Sequence, residues 1–409
     1  MMSPNIYDVV VVGAGPSGAL AAGNLAKAGL KVALIEKQKL PRHKVCGGGV
    51  PMSAGHLFKD LAPEAFVECA ITVVRHTWNF GDAHLASIYE GATAGPSDHL
   101  KVWMVQRPIF DNALTRRAVD AGATLYEGYA VQSITQGTNA NAPWTLSASN
   151  SDGASQTFET QYVIGADGVN GVTAKAVGLR PQRDLAAAME VEYPYSWPMD
   201  GPIALKPEIM HLEYGALRNG YGWIFPKKDH LNIGAGIFYP KGQSPKTSGE
   251  SVTKILKNVI HKYLDLFKLP YDPNTLTYRA HPLPIWNGRE PLQTSDDRVL
   301  LVGDAAGLVG PMFGDGILHA LRSGEIAANA IITKNTKAYT EQIHQHFADN
   351  LDVARRLSGM LHKFPSLFYR FGVKRPRATR IALRLLGGDL SYTDIKDRVL
   401  QQLPFMSRG

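Results

Sequence analysis

The stretch VVVVGAGPSGALAAGNLAKAGLKVALIE, residues 9–36, decides the fold. Its valines, from Asp8 to Val12, read as a short buried strand, and Gly13, Gly15 and Gly18 follow at G-x-G-x-x-G spacing. A helical pattern from Pro16 to Ala28 then leads through Gly29 to a second strand, Lys31 to Ile35, ending at Glu36. This is a βαβ unit. The first glycine permits the tight turn, the second lets backbone approach a pyrophosphate, and the third allows close helix packing. The phosphates would rest on the helix start at Pro16 and Ser17, where unpaired N–H groups and the dipole favour negative charge. Glu36, with Lys37 beside it, is placed to accept hydrogen bonds from an adenosine ribose.

Two further stretches carry the reading outward. YVIGADG, residues 162–168, is a strand ending in Ala-Asp-Gly, and VLLVGDAAGLVGPMFGDG, residues 299–316, is a strand, a glycine-rich loop and then a helix from about Ile317. A carboxylate after such a strand stands at the carboxyl end of a sheet, where ligands of α/β folds bind. Asp167 and Asp304 are therefore candidate ligand contacts, with a capped strand end the alternative for Asp167 and a helix N-cap the alternative for Asp315. No second G-x-G-x-x-G follows a strand, so no dedicated nicotinamide-nucleotide domain is expected.

Gly13–Gly18 with Glu36, the VIGADG segment and the VGDAAG…GDGI segment resemble the three FAD motifs of the flavoprotein group that includes aromatic hydroxylases and geranylgeranyl reductases. QRPIFDNAL, residues 106–114, resembles the helix start in that group whose arginine, here Arg107, lies near the FAD. The group often continues Asp-Gly with a serine and then an arginine; here Gly171 and Lys175 stand in those places. The resemblance implies FAD as cofactor, held by Gly13, Gly15, Pro16, Ser17, Gly18, Glu36, Lys37, Arg107, Asp167, Gly303, Asp304, Gly314, Gly316 and Ile317. Asp304 could bind ribityl hydroxyls, and the helix beginning near Gly316 would point its positive end at the flavin pyrimidine.

Composition sets the outer bounds. The 409 residues, 44% hydrophobic and 19% charged, are ordinary for a globular chain of two or three substructures. Two cysteines, Cys46 and Cys69, are too few for a disulfide framework or a four-cysteine iron–sulfur cluster, and no metal site is expected. The N-terminal apolar run lacks a basic flank and reads as a strand, with no signal peptide, and no stretch approaches the roughly 18 apolar residues of a spanning helix. A cytoplasmic protein is the expectation, with peripheral contact on the membrane's cytoplasmic face the variant that a basic C-terminal region admits. The net charge of +7 is uneven, since Lys374 to Arg384 holds five basic residues and no acidic one. Anionic lipid or an acidic protein fits that run, and nucleic acid is not expected.

Between about Asp184 and Ala280 the texture changes to strands. IMHLEYG, GYGWIFP and HLNIGAGIFY alternate with period two and are joined by ALRN and KKD, which reads as an antiparallel meander. Tyr221, Trp223 and Phe225 then share one side of the sheet, and Gly234 and Gly236 would leave open space beside them if they face the same way. An aromatic wall over a vacant floor suits a long apolar ligand, with ordinary core packing the alternative. Tyr-x-Trp-x-Phe-Pro, here Tyr221, Trp223, Phe225 and Pro226, resembles the substrate-domain signature of geranylgeranyl reductases, and PRHKVCGGGVP, residues 41–51, resembles their cysteine-glycine-glycine segment. The resemblance implies Cys46, Gly47 and Gly48 at the active site with Tyr221 and Trp223, and Cys46 and Gly47 near the flavin. Cys46 itself is either a small apolar filler or a thiol shaping the pocket.

These readings give an α/β, overall α+β, architecture: a Rossmann-type FAD-binding domain, an antiparallel-sheet substrate domain and a helical C-terminal segment. The expected FAD-binding domain is discontinuous, over 1–75, 101–183 and 281–340; the substrate domain takes 76–100 and 184–280, and the helical region 341–409. In the last region Arg377, Arg380 and Arg384 form a basic stripe beside Ile381 and Leu385, a helix that could lie in a membrane interface or pack on the protein. The function implied is an FAD-dependent reductase saturating C=C bonds of a prenyl chain by hydride transfer. A flavin monooxygenase acting on an aromatic or quinone-like compound is the alternative. A prenylated lipid, diphosphate or quinone is the expected substrate, and NAD(P)H or a ferredoxin-like protein the expected electron donor.

Overall fold

The computed structural model describes residues 4–89, 98–137, 139, 142–202, 204–239, 251–375 and 377–395. Its first sheet runs, in spatial order, Thr124–Glu127, Val32–Glu36, Asn5–Val12, Ser155–Gly165, Trp144–Ser149 and Ala130–Gln136, with Val299–Leu301 also on Ser155–Gly165. The first four strands and Val299–Leu301 are parallel, and the two after them antiparallel. The opening strand begins at Asn5, earlier than the valine run suggested, because Asn5, Ile6 and Tyr7 pair with Phe158, Glu159 and Thr160. The helix Pro16–Lys27 packs between Arg107–Asp120 and Ile317–Ile332. A Cβ at Gly324 would stand 2.3 Å from the Ser17 carbonyl, so only glycine lets the helices Pro16–Lys27 and Ile317–Ile332 meet that closely.

The second sheet has the order Arg279–Ile285, Asp184–Pro194, His230–Phe238, Gly220–Pro226, Ile209–Glu213, Val73–Trp78 and Gly81–Ser87. The meander is present as read. Pro282 and Pro284 fall in the edge strand Arg279–Ile285, where a missing N–H costs no ladder bond on the open side. That strand begins before the boundary expected at 281, and Val73–Trp78 before the one at 76. One face of the sheet is covered by the helix Val252–Leu266, whose Val259, Ile260 and Tyr263 bury Ile224 and Ile233. The other face, with Tyr221, Trp223 and Phe225, looks into a cavity of about 1970 Å³ that reaches the first sheet's carboxyl ends. A small third sheet, Gly49–Pro51, Val102–Val105 and Val67–Ile71, lies below the cysteine-glycine loop.

The chain continues through the helices Asp349–Lys363 and Ala378–Gly387. The second corrects the stripe read from sequence. Leu383 and Leu385 are buried against the body, Ile381 is 39% exposed, and Arg380 donates to the Ile88 carbonyl at 2.8 Å. The apolar residues thus divide between core and surface, because the helix packs on the protein first. Among the described residues no helix is long and apolar enough to cross a membrane.

Candidate active site

The glycine loop is stitched to the second strand by a carboxylate. The Ala14 N–H donates to Glu36 Oε2 at 3.0 Å, the Gln38 N–H to Oε1 at 3.1 Å, and Arg42 Nε lies 3.3 Å from Oε1. Glu36 therefore shapes the loop as well as facing the cavity. Gly13, Gly15, Pro16 and Ser17 line the cavity, whereas Gly18 lies beneath: a Cβ there would stand 1.9 Å from the Gly13 carbonyl. Gly303 is likewise behind the lining, packed on the Ser17 hydroxyl, while Lys37 is on it.

Arg107 and Asp111, one helical turn apart, are both buried and share two hydrogen bonds of 2.7 and 2.8 Å. Arg42 joins them, with Nη1 3.2 Å from Asp111 Oδ2. Burial opposes the charge on Arg107, but the Asp111 carboxylate and the Cys46 sulfur hold it firmly protonated, above the usual arginine range. Lys44 is pushed down by burial and by the Arg107 charge. His281, on the facing edge strand, is pushed down to about 4 by burial and by the charges of Lys44 and Arg107. The result is an electropositive wall of Arg107, Arg42 and Lys44, of which the sequence motifs single out Arg107. Asp111 sits inside the quoted QRPIFDNAL motif, and its i, i+4 spacing from Arg107 was the available signal.

On the other side, Asp304, Gly314, Gly316 and Ile317 line the cavity where the helix Ile317–Ile332 begins. A Cβ on Gly316 would stand 3.7 Å from Asp304 Oδ1, so this carboxylate sits beside the helix start. Asp167 divides its two oxygens. Oδ2 accepts from the Thr173 N–H and hydroxyl, both at 2.8 Å, and so caps the turn Thr173–Ala176, while Oδ1 is buried with no hydrogen-bond partner. Burial raises its pKa. A Cβ at Gly171 would lie 2.1 Å from the Asp167 carboxyl carbon, which accounts for glycine where the group often has serine.

The fit to FAD rests on these leftovers. Asp167 Oδ1 is buried without a hydrogen bond on a residue that lines the cavity, and the cavity side of Gly15 is open, with Nη2 of Arg42, whose Nη1 is ion-paired to Asp111, 3.9 Å from the glycine's Cβ position. A cation and bare backbone over a glycine loop suit a pyrophosphate. Glu36, Arg42 and the loop would hold the adenosine and phosphates, and Asp304 with the Gly316 helix start the flavin end.

The cysteine-glycine loop is braced from far away. Cys46 N–H donates to Glu190 Oε1 at 2.9 Å, Gly48 N–H reaches Cys46 Sγ at 3.4 Å, and Lys227 Nζ donates to the carbonyls of Gly47 and Val105 at 2.7 and 3.0 Å. Lys227 is 2% exposed, although it stands in the KKD segment that joins two strands of the meander. Burial lowers its pKa to about 8 against the pull of Cys46 and Glu190. Gly48 has φ +71°, and a Cβ on Gly47 would lie 2.6 Å from the Phe225 ring.

The three aromatic rings stand in sequence along the cavity, centroids 5.9 Å apart for Tyr221–Trp223 and 6.0 Å for Trp223–Phe225. Tyr221 donates its hydroxyl to the Phe313 carbonyl, and burial raises its pKa. The floor at Gly234 is not vacant as expected. The indole of Trp223 covers it, with Cζ2 2.2 Å from the Cβ position, so this glycine seats the ring. Gly236 does line the cavity, while Pro226 ends its strand off the cavity.

A nucleotide cradle and an aromatic-walled, largely apolar cavity on one chain define an FAD-dependent oxidoreductase. The model of the FAD binding domain family matches residues 6–356. The chloroplastic geranylgeranyl diphosphate reductase of Nicotiana tabacum is 32% identical over 79% of this chain, which spans 66% of that enzyme's length. Digeranylgeranylglycerophospholipid reductase of Methanocaldococcus jannaschii is 30% identical, over 80% of this chain and 78% of its own. The solved structure of a geranylgeranyl bacteriochlorophyll reductase-like protein from Thermoplasma acidophilum superposes with a TM-score of 0.73 at 21% identity, covering 88% of each chain. This chain belongs to the geranylgeranyl reductase family of FAD-binding oxidoreductases, and its cofactor is FAD.

Proposed function

We propose that this protein saturates C=C bonds in the prenyl chain of a lipid, diphosphate or quinone. The observation that supports it most is the cavity's continuity: the same space runs from the glycine loop, past Tyr221 and Trp223, to Leu357, Leu361 and Phe368 of the C-terminal helices. A long apolar chain fits such a passage, with its reacting bond beside the cofactor and its tail among the helices. Reduced FAD supplies a hydride from flavin N5 when bound. The protein's share is positioning and dryness. Tyr221, Trp223 and Phe225 wall the chain, Gly47 leaves room against Phe225, and Lys227 fixes the loop. For an unactivated alkene, orientation of this kind can contribute several kcal/mol of the barrier.

The cavity's other end supports a membrane as partner. Phe364, Leu367, Phe371 and Ile381 are 40, 44, 54 and 39% exposed, and Arg375 and Arg377 stand among them on the cavity lining. Exposed apolar rings with interspersed cations suit the interface of an anionic membrane, from which a prenyl chain would enter. Electrons would come from NAD(P)H docking transiently or from a ferredoxin-like protein. Anaerobically reduced enzyme given geranylgeranyl diphosphate should yield products heavier by two hydrogens per bond reduced. Oxygen consumption with a hydroxylated product and no hydrogen gain would replace this reading with a monooxygenase.

A further inference from the structure

We propose that Glu190 is the proton donor for alkene saturation, delivering its carboxyl proton to the carbon that does not receive the hydride. The inference rests on the prenyl-reductase reading. Glu190 lies on the strand Asp184–Pro194, 2% exposed, and lines the cavity. In the sheet it is paired with Gly234, which is paired with Trp223, so carboxyl and indole project from one cross-strand row on the cavity face. With no side chain at Gly234 between them, the indole leans across the glycine toward the Glu190 strand, and its Cε2 is 2.4 Å from the glycine's Cβ position.

The carboxyl is tied to the cysteine loop, since Oε1 accepts from the Cys46 N–H at 2.9 Å. Asn232, on the strand paired with that of Glu190, accepts from Trp223 Nε1 through Oδ1 at 2.8 Å. The cysteine loop, the carboxyl and the fixed aromatic wall therefore meet on one face of the sheet. Three other protic groups on this wall are otherwise engaged. The Tyr221 hydroxyl is spent on the Phe313 carbonyl, Lys227 on two loop carbonyls, and His281 is held neutral.

Burial raises the Glu190 pKa, which the Cys46 and Asn232 bonds only partly offset. Of the charged groups facing it, Glu192 pushes the same way, while His43 and Lys227 pull against it. Arg279, opposite Glu190 on the edge strand, bonds Glu192 at 3.1 Å. A carboxyl raised in this way, held by geometry on the cavity wall, gives up a proton as a general acid more readily near neutrality than an ordinary carboxylate does.

The step balances. The π bond breaks and two C–H bonds form, one from the Glu190 proton at the less substituted carbon and one from the hydride at the tertiary carbon. Positive charge developing on the tertiary carbon faces Trp223 and Tyr221, whose ring faces favour it. Water reprotonates the carboxylate, and a nicotinamide or ferredoxin-like donor restores the two electrons.

The test compares holoenzyme with Glu190→Gln on geranylgeranyl diphosphate. Saturation should fall at least about 100-fold, within the span of general-acid effects, while FAD content, reduction by dithionite and prenyl binding read by Trp223 fluorescence stay unchanged. In deuterated water the wild type should place a deuterium on the less substituted carbon of each reduced bond. Infrared difference spectra should show a protonated-carboxyl band in apoprotein and holoenzyme alike, absent in E190Q, and its loss with rising pH should track the loss of rate. A wild type that saturates with E190Q within threefold of it overturns the assignment alone. So does E190Q losing FAD or prenyl binding together with activity, or a rate independent of pH across the band's titration. That last comparison needs only wild type, and so decides the matter if E190Q does not fold. A wild type that saturates no prenyl probe removes the reductase reading itself.

Discussion

Two glycine loops meet in this cavity, and they are stabilised in opposite ways. The loop Gly13–Gly18 is held by its neighbours: Glu36 binds the Ala14 N–H, and Gly18 packs under the Gly13 carbonyl. The loop Cys46–Gly48 is held by residues far along the chain, Glu190 and Lys227, and is pressed by the ring of Phe225. The first is a rigid binding cradle with a local specification. The second is held only when the strand of Glu190 and the segment of Lys227 are in place.

Breaking the local loop should have the largest effect. In Gly18→Val the new Cβ stands 1.9 Å from a backbone carbonyl and 3.0 Å from the Ala166 Cβ, neither of which can swing away. Overpacking of a few kcal/mol translates to a loss of FAD affinity of about 100-fold or more, read as flavin absorbance per protein after gel filtration. Retention of stoichiometric FAD would mean that the loop is softer than its contacts imply.

Breaking the distant brace should cost stability before cofactor. Lys227→Met strands the buried carbonyls of Gly47 and Val105, at about 1–3 kcal/mol for each one left bare, measured by urea unfolding of the holoenzyme. The wild type has a pH signature of its own. The folded Lys227 releases its proton near 8, the unfolded one near the ordinary 10.5. Between those values the unfolded chain binds more protons, so stability should rise with pH across the window, by about 3 kcal/mol. In K227M that rise should vanish.

The same contrast explains what could be read from the sequence. The βαβ unit, the Asp304 segment and the alternation that puts Tyr221, Trp223 and Phe225 on one face are all written within a few tens of residues. Arg107 and Asp111 are one turn apart and were equally readable. Glu190 and Lys227 were not, because their partners lie 144 and 180 residues away. A lysine in KKD has the composition of a turn, and only the third dimension shows its ammonium buried under Gly47. Gly234 misled for a related reason: spacing shows that a side chain is missing, not which neighbouring ring takes the room.

Gly47→Ala sharpens the comparison at the point where the distant loop meets the aromatic wall. The added methyl would lie 2.6 and 2.8 Å from Phe225 Cδ2 and Cε2, so the ring must shift. A ring can give way where a backbone cannot, and the penalty should be nearer 1 than 3 kcal/mol, at the low end of the roughly 1–3 kcal/mol typical of overpacking. FAD content should stay at wild-type level and prenyl affinity should weaken about tenfold, measured by fluorescence titration with geranylgeraniol. An equal loss of FAD would place Gly47 with the cradle instead.

Cys46→Ser should have the smallest effect, and it separates the two readings of the thiol. Sγ receives the Gly48 N–H at 3.4 Å and lies beside Arg107, so it already braces the loop. A serine Oγ can accept the same bond, though from a shorter side chain, and it is more strongly solvated in a half-buried place. If the sulfur shapes the pocket only by filling space and bracing Gly48, C46S keeps its FAD and loses less than about tenfold in saturation rate, at most about 1.4 kcal/mol. Cys46→Ala should then lose more than serine, because it leaves the Gly48 N–H without its acceptor. The reverse order, alanine active and serine not, would mean that the apolar character of sulfur against the reacting chain matters more than its bond to the loop.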